Sequence, residues 1–281
     1  MNTYVIILNW KGWQDTIKCI DSLKMLAQRP HIVVVDNASG DESTVRIRTA
    51  HPDVHLIESS QNLGFAGGNN LGIRYALEHG AKYVWLLNND TIVQPDSLSA
   101  LLQVSQQHND DGLIASSLWN STSPHRLQTY GGGKVNTWLG RTRFILNPVE
   151  QPDYLVFASV LIPTQVFQTC GLLNDHFFLY WEDVEYSTRA KKAGFALRTA
   201  HNSVVFHKES ASLGKKNPLL DSYTSESLIK FFSIYVSIPW LPISCALVTK
   251  TISRIYKGHW KNIWAVWKPV FQKNWRTHDP L

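Results

Sequence analysis

Tyr83-Val84-Trp85-Leu86-Leu87-Asn88-Asn89-Asp90 decides the fold. An unbroken apolar run that stops at three polar residues reads as a strand buried on both faces, the kind found inside parallel sheets. On its amino side, Asn69–His79 carries helical spacing and closes at Gly80, a residue suited to a helix C-cap. On its carboxyl side, Pro95 opens a second helix through about Gln107, as expected of a proline in a first turn. Further out the alternation continues. Tyr4–Leu8, His31–Val35 and Val54–Ile57 read as strands, and Thr16–Leu26 and Glu42–Ala50 as helices. Beyond a turn-rich region (Trp119–Gly140) come a strand at Tyr154–Val160, helices at Thr164–Cys170 and Glu182–Ala193, and a strand at Ser203–Phe206. This β-α alternation predicts an α/β fold with a mostly parallel sheet covered by helices on both faces.

The chain has 281 residues, 44% of them apolar and 17% charged, enough to build a sizeable core and too apolar for disorder. Three scattered cysteines form no CxxC pair, which argues against a disulfide framework or a zinc site and fits a reducing compartment. The amino-terminal MNTYVIILNW has no basic region, and its apolar run is too short for a signal peptide. The net charge of +5 admits nucleic acid, an anionic membrane or a phosphorylated substrate.

Polar residues gather where such a sheet binds ligands, outside the carboxyl ends of its strands. Asn9, Asp36 and Asp90 each follow a strand. One such Asp is ordinarily a turn former or cap, but three strand ends that carry Asn or Asp together predict a shared site. Asn62-Leu63-Gly64-Phe65-Ala66-Gly67-Gly68-Asn69 is expected as a glycine-rich turn whose helix start offers N–H groups to an anion. No GK[ST] follows it and it does not trail the first strand, so neither a Walker A loop nor a dinucleotide fingerprint is present. A carboxylate in Asn88-Asn89-Asp90 can hold a hard divalent cation that also bridges two phosphates, and otherwise reads as an Asx turn. Glu182 and Asp183 start a helix behind the aromatic run Phe177–Trp181. Their ordinary role is to complement the helix dipole, yet a dehydrated setting would raise their basicity and make one a general base. His207 ends a strand and precedes Lys208 and Ser210, which suits a metal ligand or a phosphate contact.

Together Leu8-Asn9-Trp10, Val35-Asp36-Asn37-Ala38-Ser39, Asn62–Asn69, Leu87-Asn88-Asn89-Asp90, Glu182-Asp183 and His207 resemble the family-2 inverting glycosyltransferases. The ordered match covers roughly residues 3–210 and is most similar to the rhamnosyltransferase-like branch that builds bacterial cell-surface polysaccharides. The resemblance implies a GT-A-type, Rossmann-like catalytic domain (1–215) and a helical appendage (216–281). It implies that Asn9, Asp36 and Asn37 line the nucleotide pocket, and that Asn62, Gly64, Phe65, Gly67, Gly68 and Asn69 form the donor loop. Asn88 and Asn89 stand in the family's DXD position, with Asp90 and His207 as ligands for Mg²⁺ or Mn²⁺. Asp183 matches the general base and Glu182 its neighbour. The implied partners are a nucleoside-diphosphate sugar, with dTDP-rhamnose as leading candidate, and a lipid-linked oligosaccharide acceptor. Two departures stand out: Asn88 replaces the first Asp of a full DXD, and Glu226-Ser227 replaces an expected Arg-Asn pair. A metal-dependent nucleotidyltransferase and a non-catalytic sugar- or lipid-binding protein of the same fold are the competing readings.

The tail changes character. Phe231–Thr249 has no charged residue, but Pro239 and Pro242 predict a shallow segment or a buried helical hairpin rather than a crossing. Lys250, Arg254, Lys257, Lys261 and Lys268 would share one face of a helix, opposite a face holding Trp260 and Trp267. With Trp240, Trp264 and Trp275 nearby, this predicts a helix lying on an anionic membrane, placing the protein at the cytoplasmic face of the cell membrane. No nucleic-acid recognition module accompanies the basic residues, so no nucleic-acid partner is expected.

Overall fold

The structure is a computed structural model describing residues 2–208 and 217–272; Ser210 and Trp275 lie outside them. The first half alternates regularly: β1 (Thr3–Asn9), α1 (Trp13–Lys24), β2 (His31–Asp36), α2 (Ser43–Ala50), β3 (His55–Glu58), α3 (Gly64–Glu78) and β4 (Tyr83–Asn88). Next come β5 (Thr91–Val93), α4 (Ser97–Gln107), β6 (Gly112–Asn120), β7 (Leu127–Thr129), β8 (Gly132–Asn136) and β9 (Arg141–Phe144). The chain continues through β10 (Tyr154–Leu155), β11 (Ser159–Pro163), α5 (Thr164–Cys170), α6 (Glu182–Lys192) and β12 (Ala196–His207). It ends in α7 (Pro218–Tyr235), α8 (Trp240–Tyr256) and α9 (Trp260–Phe271).

The main sheet runs β3-β2-β1-β4-β11-β6-β12-β5, with β7 beside β6; β10-β8-β9 form a small second sheet. Strands β1 to β4 pair in parallel, as do β6 and β12, while β11 is antiparallel to both β4 and β6. The sheet is therefore mixed, more so than the sequence pattern predicted. Its two faces explain the unbroken apolar runs. Tyr4, Ile6, Val84 and Leu86 pack under α3, α5 and α6, whereas Val5, Ile7, Tyr83 and Trp85 pack under α1, α2 and α4.

Three boundaries differ from the sequence expectation. The single strand expected at Tyr154–Val160 is two strands in different sheets, because the chain bends at Val156–Ala158 and the Ala158 carbonyl turns to accept the Asn88 N–H at 3.0 Å. The last sheet strand starts at Ala196, well before Ser203. Helix α3 starts at Gly64, not Asn69. Its glycines serve close packing: a Cβ at Gly68 would stand 2.5 Å from Leu8 and one at Gly72 2.5 Å from Ile6. Each glycine costs the helix about 1 kcal/mol. Burying the facing Ile6 contributes about 1.5–3 kcal/mol, so packing outweighs propensity.

Helices α7, α8 and α9 close a third core. Phe231, Phe232, Ala246, Leu247 and Val266 meet Phe177, Trp181 and Val184 there, so the uncharged stretch forms a helical hairpin packed on the protein. Among the described residues no helix is long and apolar enough to cross a membrane. The expected single basic helix is broken at Gly258, whose φ is +68°. Lys250 and Arg254 turn inward onto the buried Asp221 at 3.3 and 2.7 Å. Burial alone would raise the Asp221 carboxyl, but Arg254 and Asn262 hold it below its usual range. Lys261 and Lys268 instead share the exposed side of α9 with Trp260, Trp264 and Phe271. The expected separation of basic and aromatic faces is thus overturned, since the inward carboxylate captures the first two cations.

Candidate active site

The carboxyl edge of the sheet gathers most of the residues singled out by sequence. Asn9 and Asp36 end neighbouring strands in register. The Asn9 amide donates to Asp36 Oδ1 at 2.7 Å, and its carbonyl accepts the Thr16 hydroxyl at 2.8 Å. Ser39 completes the network by donating its hydroxyl and its N–H to the two Asp36 oxygens. Asp36 also lines a cavity of about 290 Å³ with Ala38, Gly40, Asp41, Thr44, Glu58 and Ser59. Asn37 reaches the next segment, donating to Asn62 and to the Gly64 carbonyl, and accepting the Leu63 N–H.

The start of α3 is not the open anion cradle that the glycines suggested. The Leu63, Gly64 and Phe65 N–H groups donate to Asn37, Asn62 and the Phe178 carbonyl, respectively. Gly67 sits against Leu63 and Asp175, and the Asn69 amide donates back to the Phe65 carbonyl. Gly64 has a φ of +71°, and a Cβ there would lie 2.2 Å from the Phe178 oxygen. Glycine is required at this point by both conformation and space.

Asn88 and Asn89 follow β4. Asn89 donates to Thr16 at 3.1 Å, which ties this turn to the Asn9 network. Asp90 Oδ1 lies 3.3 Å from His207 Nε2, because Asp90 immediately precedes β5, which pairs with β12 and sets Thr91 opposite His207. His207 Nδ1 faces Gln128 Oε1 at 3.0 Å, and the Gln128 amide donates to the His207 carbonyl at 2.8 Å. With the proton on Nδ1, Nε2 keeps its lone pair toward Asp90, as a metal-binding imidazole requires. One carboxylate and one imidazole fit a divalent cation whose remaining positions are filled by phosphate oxygens. Among the described residues no group of three or more His, Cys, Asp or Glu is placed to hold a metal. Lys208 is drawn aside into an ion pair with Asp15 at 2.9 Å.

The acidic pair enters from α6. Tyr180 and Trp181 both have left-handed backbones, with φ of 65° and 66°. Such strain costs on the order of 1–2 kcal/mol per residue and marks functional sites. It delivers Glu182 into a buried position and Asp183 into a half-buried one beside it. Burial pushes the Asp183 carboxyl up to about 7, against the pull of the Val184 and Phe157 N–H groups. Burial, then the neighbouring Asp183 charge, raises Glu182 well above its ordinary value, and its Oε2 has no hydrogen-bond partner among the described residues. Phe157, whose N–H reaches Asp183, adjoins Ala158, whose carbonyl accepts the Asn88 N–H, so this residue pair links Asp183 to the start of the Asn88–Asp90 turn.

Sequence reasoning missed Thr16 and Gln128. Neither lies at a strand end, and each acts on a partner distant in sequence.

The order of the sheet and the Asp90–His207 pair at its carboxyl edge set the place where a sheet of this class binds its ligand. Residues 4–160 match the family described as Glycosyl transferase family 2, and the chain belongs to that family. It is 30% identical over 197 residues to the low-salt glycan biosynthesis hexosyltransferase Agl10 of Haloferax volcanii, covering 67% of this chain and 61% of that protein. The chain therefore spans less than two thirds of that relative's length. It is 26% identical to the N-acetylglucosaminyl-diphospho-decaprenol L-rhamnosyltransferase of Mycobacterium tuberculosis, over 75% of this chain and 77% of that one. Among solved structures, GalNAc-T7 with UDP, GalNAc and Mn²⁺ shares the fold, with a TM-score of 0.69 and 14% identity, covering all of this chain and 58% of that one.

Proposed function

We propose that the protein transfers a sugar, L-rhamnose from dTDP-rhamnose as first choice, to a hydroxyl of a lipid-linked or growing cell-surface glycan, with inversion. The carrying observation is the meeting of Asp90 and His207 at the carboxyl edge, with Asp183 tied to the same turn through Phe157 and Ala158. The rhamnosyl donor and lipid-linked acceptor are supported by the name of the mycobacterial relative. A divalent ion is supported by GalNAc-T7.

In this reading Asn9, Asp36 and Asn37 shape the nucleotide pocket, and the Asn62–Asn69 segment, with Asn88 and Asn89, walls the donor. Asp90 and His207 hold Mg²⁺ or Mn²⁺, which when bound neutralises the charge on the departing diphosphate. Asp183 accepts the proton of the acceptor hydroxyl. That oxygen bonds to the anomeric carbon from the face opposite the phosphate, the bond to the phosphate oxygen breaks, and configuration inverts. No nucleophilic side chain is needed. Residues 1–215 form the catalytic unit, and 216–281 attach it peripherally to the inner face of the cell membrane. The exposed stripe of Trp260, Lys261, Trp264, Lys268 and Phe271 supports that attachment.

The test is donor hydrolysis and transfer over a panel (dTDP-rhamnose, UDP-galactofuranose, UDP-N-acetylglucosamine, GDP-mannose) with Mg²⁺ or Mn²⁺, for wild type and Asp90→Ala. Metal-dependent turnover of dTDP-rhamnose, lost in the variant, is the expected result. Turnover of another donor alone removes the rhamnosyl assignment. Equal turnover by Asp90→Ala removes the metal site.

A further inference from the structure

Asp183 is aimed by the segment before it, and that segment cannot hold its own shape. Tyr180 and Trp181 are consecutive left-handed residues with side chains, a conformation that relaxes unless neighbours impose it. The neighbours come from two directions. The Phe178 carbonyl accepts the Phe65 N–H at 2.7 Å, from the start of α3. The other ties come from α7. Lys230 Nζ donates to the His176 carbonyl at 2.7 Å, and Ser227 Oγ donates to the Leu179 carbonyl at 3.1 Å. Glu226 lies 2.8 Å from the ammonium of Lys230, whose side chain is 15% exposed, and orients it. The Tyr223 ring lies against Phe178, and Phe231 and Phe232 lie against Trp181. Five positions of α7, Tyr223, Ser227, Lys230, Phe231 and Phe232, thus hold residues 176–181 ahead of the acidic pair. Glu226 and Ser227 are also the residues at which the sequence departs from the expected Arg-Asn pair.

We propose that Lys230 and Ser227 are positioning residues of the transfer reaction: they fasten the strained 176–181 segment so that Asp183 meets the acceptor hydroxyl. The inference rests on the reading of Asp183 as the base. Neither residue touches a reacting atom in this scheme. Lys230 acts at the far end of the segment and Ser227 at its middle. The Phe178 carbonyl links the same segment to the donor-side glycine turn, so one segment is shared by the donor wall and the base.

The experiment compares full-length wild type, Lys230→Met, Lys230→Arg, Ser227→Ala and Asp183→Asn. Leu102→Ala, which loosens the core under α4 where none of residues 176–181 packs, reports the effect of lost stability alone. Hydrogen exchange of amides 174–185 is read well below melting, and kcat and donor KM are read with the nucleotide sugar that the panel selects, dTDP-rhamnose first. Expected for Lys230→Met are exchange in 174–185 faster by about tenfold or more and a kcat lower by about 10- to 100-fold. Donor KM stays within about twofold, and Lys230→Arg recovers most of both losses. Wild-type exchange and kcat in Lys230→Met overturn the proposal. So does the Leu102→Ala pattern, a lower Tm with kcat and local exchange unchanged. If Asp183→Asn keeps full turnover, the base assignment has failed instead, and exchange alone then decides whether the tether exists.

Discussion

A half-buried carboxylate beside a buried one has opposite consequences for stability and for catalysis. Asp183 titrates near 7 because burial disfavours its charge. A base must be ionised, so kcat should rise with pH along a limb of apparent pKa about 7. Asp183→Asn should lower kcat by about 10²- to 10⁴-fold. For stability, the unfolded carboxyl ionises near 3.9 and the folded one near 7, so stability is lost as pH rises across that window and stays low above it. Asp183→Asn removes this loss. It should match wild type in thermal melts at pH 4 and exceed it at pH 8, by on the order of 1–3 kcal/mol. A flat kcat profile between pH 5 and 8 would remove Asp183 as base. Asp183, Asp90 and His207 were legible in sequence because strand ends and helix starts are visible there. Gln128, which fixes the His207 ring, was not, because an amide in a short strand carries no local signal of its partner.

Helix α3 shows how one element can be read correctly in kind and wrongly in use. Its glycines were visible, and so was a helix, but the sequence placed them before the helix rather than within it. Glycine's poor helix propensity misled, and the close approach of Leu8 and Ile6, which only the fold reveals, won. The element-level prediction separates two glycines. Gly64→Ala meets both a left-handed φ and the Phe178 oxygen, so it should raise donor KM and lower kcat along with stability. Gly72→Ala strikes only side-chain carbons of Ile6 and Val35, so it should cost about 1–3 kcal/mol of stability in denaturant melts with kinetics intact. Equal kinetic damage from both would show that α3 acts only as scaffold.

At the scale of the molecule, β1 to β4 and their helices were legible, because burial on both faces writes itself as uninterrupted apolar runs. Strand β6 was not. Ser116 and Ser117 interrupt its apolar pattern, and Ser116 is satisfied by Ser159 and Ser203 on neighbouring strands, partners far along the chain. The tail was legible as aromatic and basic, but its faces were not. The buried Asp221 rearranges them, drawing Lys250 and Arg254 inward and leaving the aromatic residues of α9 outside with Lys261 and Lys268. The membrane reading then makes a specific demand. Wild type should sediment with phosphatidylglycerol-containing vesicles, less so at high salt. The triple change Trp260→Ser, Trp264→Ser, Phe271→Ser should abolish this while leaving donor hydrolysis unchanged. Undiminished sedimentation would move the attachment away from α9.

The antiparallel β11, laid between β4 and β6, also governs how the enzyme is born. Translation releases β1 to β4 as a patch whose β4 edge has no neighbour until residues 159–163 arrive. At about 5–20 residues per second, the nascent chain carries that naked apolar border for on the order of 5–15 s. Such a border invites edge-to-edge association, so the ribosome-bound intermediate, not the finished enzyme, is the stage most exposed to aggregation and most in need of a chaperone.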